Sequence, residues 1–416
     1  MKRIATLILC IAILAGCDGS IRPDMIIMPD NKNEGTEKPE QEPEPEGIIP
    51  FTPASVSDPG AAYVWDGNVV PKITIHITKD EWNRLLNRFD EFNNNVDYFH
   101  ADFTYKKGSE TTFIEDGGVR LRGNTSRRRP EGSTGQLHDS DNPDWHHCHF
   151  GINFRKYHKD DEHTVHGIRK INLKWFKDDP CYVRELYCYD LFRRYGIWTS
   201  AFSTYCRLWI QIDDEKPAYF GVYNMIEPID DEFVERREAG MFQNDKGNLW
   251  KCVYGVGGMA DFKNANVNNS NLFNWDQDNG TGLDDYKVYF LPYDYDNSLG
   301  TSAIMEDAGR QDPYNWGEEG ILMEKILQFD DFRQMYRNAF LELTDPSNDL
   351  FHMDASIPRI KAWHDRIRIH VYNDTGEDMK IRDNTASWSN HTEYRLLDPG
   401  PNNWFRVKTE VVNSLE

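Results

Sequence analysis

The sequence is poor in long apolar runs. After its first sixteen residues none approaches the roughly 20 apolar residues of a membrane-spanning helix, so no spanning helix is expected there. It is also short of positive charge: 47 Lys and Arg stand against 69 Asp and Glu, a formal charge of −22. Phosphate backbones demand a basic surface, so non-specific nucleic-acid binding is excluded. Cysteine is scarce, with seven residues and no C-x-x-C spacing, which points away from a zinc ribbon or a dense disulfide framework. A Walker-type loop and a Ser-His-Asp nucleophile elbow are likewise missing. Aromatic residues are plentiful: 12 Trp, 20 Tyr and 22 Phe are enough for a sizeable core.

The N-terminus reads as an export signal. Lys2 and Arg3 precede an apolar stretch over 4–14, broken only by Thr6 and too short to span a bilayer. Leu14-Ala15-Gly16-Cys17 resembles a lipobox. Residues 1–16 are therefore expected to be a lipoprotein signal peptide, and Cys17 the lipidated first residue of the mature chain; an ordinary signal with a chance cysteine is the plainer alternative. Lipid on Cys17 tethers without spanning, so the expected location is the bacterial cell envelope, at the outer membrane or cell surface. Residues 17–48 are polar and acidic and end in alternating Pro and Glu, a composition that cannot bury itself and stays extended as a tether. Cys148, Cys181, Cys188, Cys206 and Cys252 remain, for one or two bridges or for buried thiols.

The folded part spans 49–416. Residues 73–77 alternate as a strand, and Thr78-Lys79-Asp80-Glu81 forms a capping box that opens a helix through Trp82, Leu85 and Leu86. Strands are expected at 98–105, 119–121, 150–154 and 171–175, and a strand pair at 205–212 and 218–223. Asp179 and Pro180 suit the N-cap and first position of a helix that Gly196 ends. Helices follow near 319–344 and 354–372 and at the C-terminus. A strand-rich N-terminal part and a helical C-terminal part suggest an α+β fold with two lobes.

Four segments carry candidate chemistry. Residues 117–126 run from a strand into a turn with Arg122, Gly123, Asn124 and Ser126, and Arg127 to Arg129 follow. Glycine lets backbone N–H groups approach an anion, and arginine forks suit phosphate, yet an ordinary hairpin with a solvated basic end fits the pattern too. The apolar strand 289–292 leads to Asp294, Asp296 and Asn297: hard oxygen donors suited to Mg²⁺ or Mn²⁺, or an acidic turn cap. Glu185 sits near a helix start, where it favours the dipole or orients a phosphate-binding cation. Glu227 ends a strand that leads to the acidic helix 230–238.

In this order, the segments resemble the CotH kinase family, through 119–126 (its R-G-N-x-S turn), 171–196, 208–230, 247–251, 288–300, 309–317, 336–343, 386–388 and 394–396. The resemblance implies an atypical, two-lobed protein-kinase-like fold that transfers the γ-phosphoryl of ATP to protein hydroxyls with Mg²⁺ or Mn²⁺. It makes Asp294 and Asp296 the metal-binding acids, with Asn297 close by, and lays residues 122–126 against the phosphates. Glu227 falls near the adenine pocket, and Glu185 matches the glutamate that pairs with a phosphate-binding lysine. The family lysine belongs on the strand after the turn, where residues 149–154 carry none; Lys156 and Lys174 are the substitutes, neither at the expected position. The segment that normally holds an Asn-rich catalytic loop is shortened to 252–287, with 264–271 as its remnant. Two functions follow: a kinase acting on exported proteins, or a catalytically degenerate kinase-fold lipoprotein that binds a surface partner. A carbohydrate hydrolase is disfavoured, because Asp294 and Asp296 share one strand end instead of facing each other across a cleft.

Metabolic labelling with palmitate tests the anchor: label is expected in the wild-type chain and none in Cys17→Ala.

Overall fold

Strands build the first half of the chain, with period-2 burial clearest over 99–107 and 206–212. β1 (Lys72–Ile77), β2 (Phe99–Lys107), β3 (Glu110–Arg122), β4 (His149–Asn153), β5 (Lys170–Lys174), β6 (Ser203–Ile212) and β7 (Ala218–Ile226) close into a barrel in the order β1-β2-β3-β4-β5-β7-β6. Neighbours are antiparallel except β1 and β6, which run parallel and complete the ring, with Ile73 opposite Leu208 and Ile75 opposite Ile210. Closure leaves no strand of this sheet with an unpaired edge. The computed structural model describes residues 58–124, 126–237, 242, 248–251, 271–275, 287–302, 309–315, 321–377 and 379–415. The expected signal peptide, Cys17, the tether, Thr125, Cys252 and residues 264–270 lie outside the described residues.

The expected α+β content is present, strand-rich first and helical later; the closed seven-strand barrel is the feature that sequence periodicity did not reveal. α1 (Pro59–Trp65) and α2 (Lys79–Glu91) add their buried faces to the hydrophobic cluster of the barrel. At α2 half of the capping box forms. Thr78 Oγ1 accepts the Glu81 N–H at 3.2 Å, but the Glu81 carboxylate turns to the backbone N–H of His100 on β2. The helix expected from Pro180 begins later, as α3 (Arg184–Arg194). Asp179 still caps it, from outside: its carboxylate accepts the N–H groups of Cys181, Val183 and Arg184 while a turn through Tyr182, at φ +58°, intervenes. Gly196, at φ +84°, ends the helix as expected.

β7 lies between two hydrophobic clusters. Phe220, Tyr223 and Met225 enter the barrel core with Leu173 and Leu208, whereas Val222 and Ile226 join a second cluster around α3. All nine residues of β7 are buried, which is why its sequence lacks the polar alternation of a half-exposed strand. Gly221, at φ +100°, absorbs the bulge opposite Leu208 and Trp209. The second cluster takes in Leu186, Tyr187, Leu191 and Phe192 of α3 together with α6 (Asp330–Thr344), α7 (Met353–Ile367) and α8 (Trp404–Asn413). Between the halves come α4 (Asp231–Arg236) and a three-stranded sheet of β8 (Asn248–Lys251), β9 (Asn271–Trp275) and β10 (Lys287–Leu291), in the order β10-β9-β8; α5 (Ile321–Ile326) precedes α6. No helix among the described residues is long and apolar enough to cross a membrane. Cys148, Cys181, Cys188 and Cys206 are free, buried thiols.

The segment after α7 bolts the helical half to the barrel. Asp374 exchanges hydrogen bonds with Tyr219 on β7, its N–H donating to the Tyr219 carbonyl at 2.7 Å and its carboxylate accepting the Tyr219 N–H at 2.6 Å. Glu377 accepts from Arg128 at 2.6 Å and from the His147 N–H at 3.0 Å. Burial alone would raise the Glu377 carboxyl, but His147 and Arg128 hold it at about 2, below its ordinary 4.5. A depressed carboxyl stabilises the fold above its unfolded pKa, and that stabilisation disappears as pH falls from about 4.5 toward about 2. Glu377→Gln should cost about 1–3 kcal/mol at pH 7 and flatten the acid limb of denaturant-melt stability in that window; an unchanged limb refutes the assignment.

Candidate functional site

β5 ends at Lys174, and strand alternation sets where its side chain goes. Leu173 points into the barrel core, so Lys174 points out of the barrel toward α3. There its buried ammonium meets three carboxylates: Glu185 of α3 at 2.8 Å, Asp294 at 2.9 Å and Asp296 at 3.4 Å. Asp294 and Asp296 lie in the turn that follows β10, and Asn297 comes next in the same bend. The structure thus brings together three of the residues singled out from sequence, around a lysine that sequence reasoning placed off-site. The family lysine was sought on residues 149–154, which form β4 and its end; Lys174 is on the adjacent β5, where Phe150 pairs with Leu173.

Neighbouring side chains brace this cluster. Asn224, opposite Lys174 on β7, donates to Glu185 Oε2 at 3.4 Å and is itself held by the Ser203 hydroxyl at 2.6 Å. Tyr189 lies one turn beyond Glu185, on the same face of α3. Its hydroxyl donates to Glu185 Oε1 at 3.4 Å and accepts the backbone N–H of Asp294 at 3.2 Å. Asp294 is left-handed, at φ +68°, a conformation aspartate tolerates better than most residues. Sequence reading passed over Tyr189, although its i+4 spacing from Glu185 was the available signal.

Charge sorts the cluster. Burial by itself favours a neutral amine, but Asp294, Asp296 and Glu185 outweigh it and push the Lys174 pKa up, so the ammonium persists. Burial raises the Glu185 carboxyl, against the opposing pull of Lys174. Burial also raises Asp296, to about 7, with Asp294 and Glu185 adding to the effect and Lys174 resisting it. Glu185 is sealed, whereas Asp294 and Asp296 keep 41% and 32% of their side-chain surface exposed. Oxygen donors therefore face solvent on one side of Lys174 only. That donor set fits a hard divalent cation such as Mg²⁺ or Mn²⁺.

The R-G-N-x-S turn borders the same place. Arg122, at the end of β3, donates from Nη2 to the Tyr293 hydroxyl at 3.0 Å, directly before Asp294. Gly123 takes φ +107°, and a Cβ there would come within 2.8 Å of Ser126 Oγ, so the turn requires glycine. Asn124 is exposed, and its carbonyl accepts the Arg127 N–H at 3.3 Å. Arg127 also grips the Gly123 carbonyl at 3.1 Å; burial and the charges of Arg120 and Arg122 lower its pKa. His149, on β4, is kept neutral by burial and by Lys174 and Arg122, and accepts the Trp175 N–H at 3.1 Å.

The Glu227 carboxylate is taken up by protein partners. Its buried carboxylate accepts from Arg236 at 2.8 Å, from Arg237 at 2.7 Å and 3.0 Å, and from the Phe202 N–H at 3.0 Å. Burial would raise its pKa, but the two arginines lower it. Glu227 anchors α4 to the end of β7, and these four hydrogen bonds occupy both of its carboxylate oxygens.

The family model described as CotH kinase protein matches residues 119–282 and 267–395, a span that includes every residue of this cluster. No curated protein matches the chain.

Lys174→Met leaves a buried carboxylate without its cation and should cost about 3–5 kcal/mol. The double variant Lys174→Met/Glu185→Gln should recover part of that loss in a denaturant-melt double-mutant cycle. Simple additivity of the two changes contradicts the pairing.

Proposed function

The chain belongs to the CotH kinase family, and on that premise we propose that it is an atypical, kinase-like phosphotransferase, acting with ATP and Mg²⁺ or Mn²⁺ on hydroxyls of exported proteins from a lipid anchor at Cys17. The single observation that carries this reading is the buried Lys174 ammonium, held by Glu185 on one side and by the solvent-facing Asp294 and Asp296 on the other. A lysine paired with a helix glutamate beside two metal-competent acids is the charge arrangement phosphoryl transfer needs. The two hydrophobic clusters that meet at β7 support a two-lobed arrangement, barrel against helices.

Bound ATP and its metal would supply the transferable phosphoryl group and the neutralisation of its charge. The chain's own residues position and select. Glu185, fixed by Asn224 and Tyr189, keeps the Lys174 ammonium aimed at the acid pair. Lys174 would hold phosphate oxygens, and Asp294 and Asp296 would be the residues to hold the cation, which would neutralise phosphate charge. Arg122, tethered through Tyr293 to the same turn, offers a guanidinium fork to phosphate. Gly123 lets the backbone approach closely. Such a site works by alignment and charge neutralisation, with no covalent step on the protein.

Incubation of the mature chain with γ-labelled ATP and Mg²⁺ or Mn²⁺ should transfer label to protein. Asp294→Ala or Lys174→Met should lower transfer at least about a hundredfold. Nucleotide-induced stabilisation without transfer would support a degenerate binding module, and neither effect in the wild-type chain would sink the kinase reading.

A further inference from the structure

The loop between β4 and β5 carries a second cluster of metal-competent side chains that the kinase reading does not use. It leaves Asn153 and returns at Lys170, and Lys174 stands at the opposite end of β5. Four residues of strand, about 13 Å, separate the loop base from Lys174. Phe154, Val165 and Ile168 anchor that base in the barrel core, and Val165 and Ile168 exchange two backbone hydrogen bonds. The loop reads His158-x-Asp160-x-x-His163. One ligand atom from each of these three residues lies within 4.8 Å of the others. The His163 Nδ1 and Asp160 Oδ1 are 2.6 Å apart, and the two imidazoles stack at 4.2 Å with their planes 9° apart.

We propose that His158, Asp160 and His163 form a binding site for a borderline divalent transition metal, Zn²⁺ above all. Two imidazoles and a carboxylate suit Zn²⁺, and disfavour Ca²⁺ or Mg²⁺, which prefer oxygen. Zn–ligand bonds of about 2.0–2.1 Å put tetrahedral ligand atoms about 3.3 Å apart. That lies between the present His163–Asp160 contact and the outer limit of the group; the near-parallel stack must open, one imidazole turning so that the in-plane lone pairs of both rings meet at the ion. The ion takes the place of the proton now shared by His163 and Asp160. His158 is already oriented from behind: Asp116 Oδ2 lies 2.9 Å from its Nε2. A carboxylate on one imidazole nitrogen, with the other nitrogen presented to a metal, is the usual outer partner of a zinc histidine. Asp116 is itself fixed, in a left-handed conformation at φ +47°, by its N–H donating to Asp102 Oδ1 at 2.8 Å, and its second oxygen contacts His100. The ligands come from one loop and the orienting acid from β3, so metal binding would fasten the loop to the barrel wall.

The test is equilibrium dialysis of the metal-stripped full chain against micromolar Zn²⁺ with millimolar Mg²⁺ present to occupy the acid pair at Lys174, followed by elemental analysis. One retained equivalent is expected, lost in His158→Gln/His163→Gln and weakened about 10–100-fold in Asp116→Asn. Co²⁺ in place of Zn²⁺ should give the visible absorption of a four-coordinate site in the wild-type chain only. Circular dichroism melts of the variants verify folding independently. Retention of Zn²⁺ unchanged in the double variant, or none by the wild type, overturns the site. Asp294→Ala should leave Zn²⁺ retention intact, so failure of the kinase reading and failure of this one give different results.

Discussion

The structure depends on a buried positive charge. An ammonium taken out of water is stable only if opposite charge and hydrogen bonds replace its hydration, and the penalty for an unpaired ion is several kcal/mol. Lys174 meets that condition with carboxylates from two separate parts of the chain: Glu185 from α3, and Asp294 and Asp296 from the turn after β10. Strand end, helix and turn must therefore arrive together. The cluster is a positional constraint on the fold as much as a set of chemical groups.

The barrel turns that constraint into geometry. Because β5 and β7 are neighbours, Lys174 and Asn224 stand opposite each other on the outer wall, and both reach Glu185. The same wall is the floor of the second hydrophobic cluster, so Lys174 and Glu185 are set where apolar packing on α3 already excludes water, while Asp294 and Asp296 remain partly exposed. Low local dielectric strengthens each contact there and makes each missing one costly. The C-terminal segment adds its own clamps to the barrel at Tyr219, Arg128 and His147, which ties the helical half to the wall that carries the site.

Local signals in the chain were readable where local physics decides. The alternation of β1, the Thr78 cap, the stop at Gly196 and the β6–β7 pair all depend on residues a few positions apart, and each is found. The acids Asp294 and Asp296 and the helix residue Glu185 were visible as residue types in suitive positions, and the structure joins them. Lys174 was named only as a substitute off the expected strand, because a motif template assigns a residue by order along the chain, and the pairings that set Lys174 beside Glu185, Asp294 and Asp296 are written in no local segment. The arginine partners of Glu227 were not legible either: an acid at a strand end looks the same in sequence whatever its carboxylate faces, here Arg236 and Arg237. The late start of α3 escaped notice because Asp179 caps from outside the helix across an intervening turn.

By itself the sequence determined composition-level properties and everything set by short spacing: the acidic charge, the export-signal pattern at 1–17, the amphipathic periods, the caps and the inventory of acids. It determined family membership too, since ordered motifs survive without coordinates. Tertiary structure alone decided that the strands close into a barrel, that β1 meets β6 in parallel, and that Lys174 is the cation which Glu185, Asp294 and Asp296 surround. The physical reason is separation along the chain. Lys174 and Asp294 are 120 residues apart, and nothing in local propensity records a contact whose energy appears only after both sides have left water.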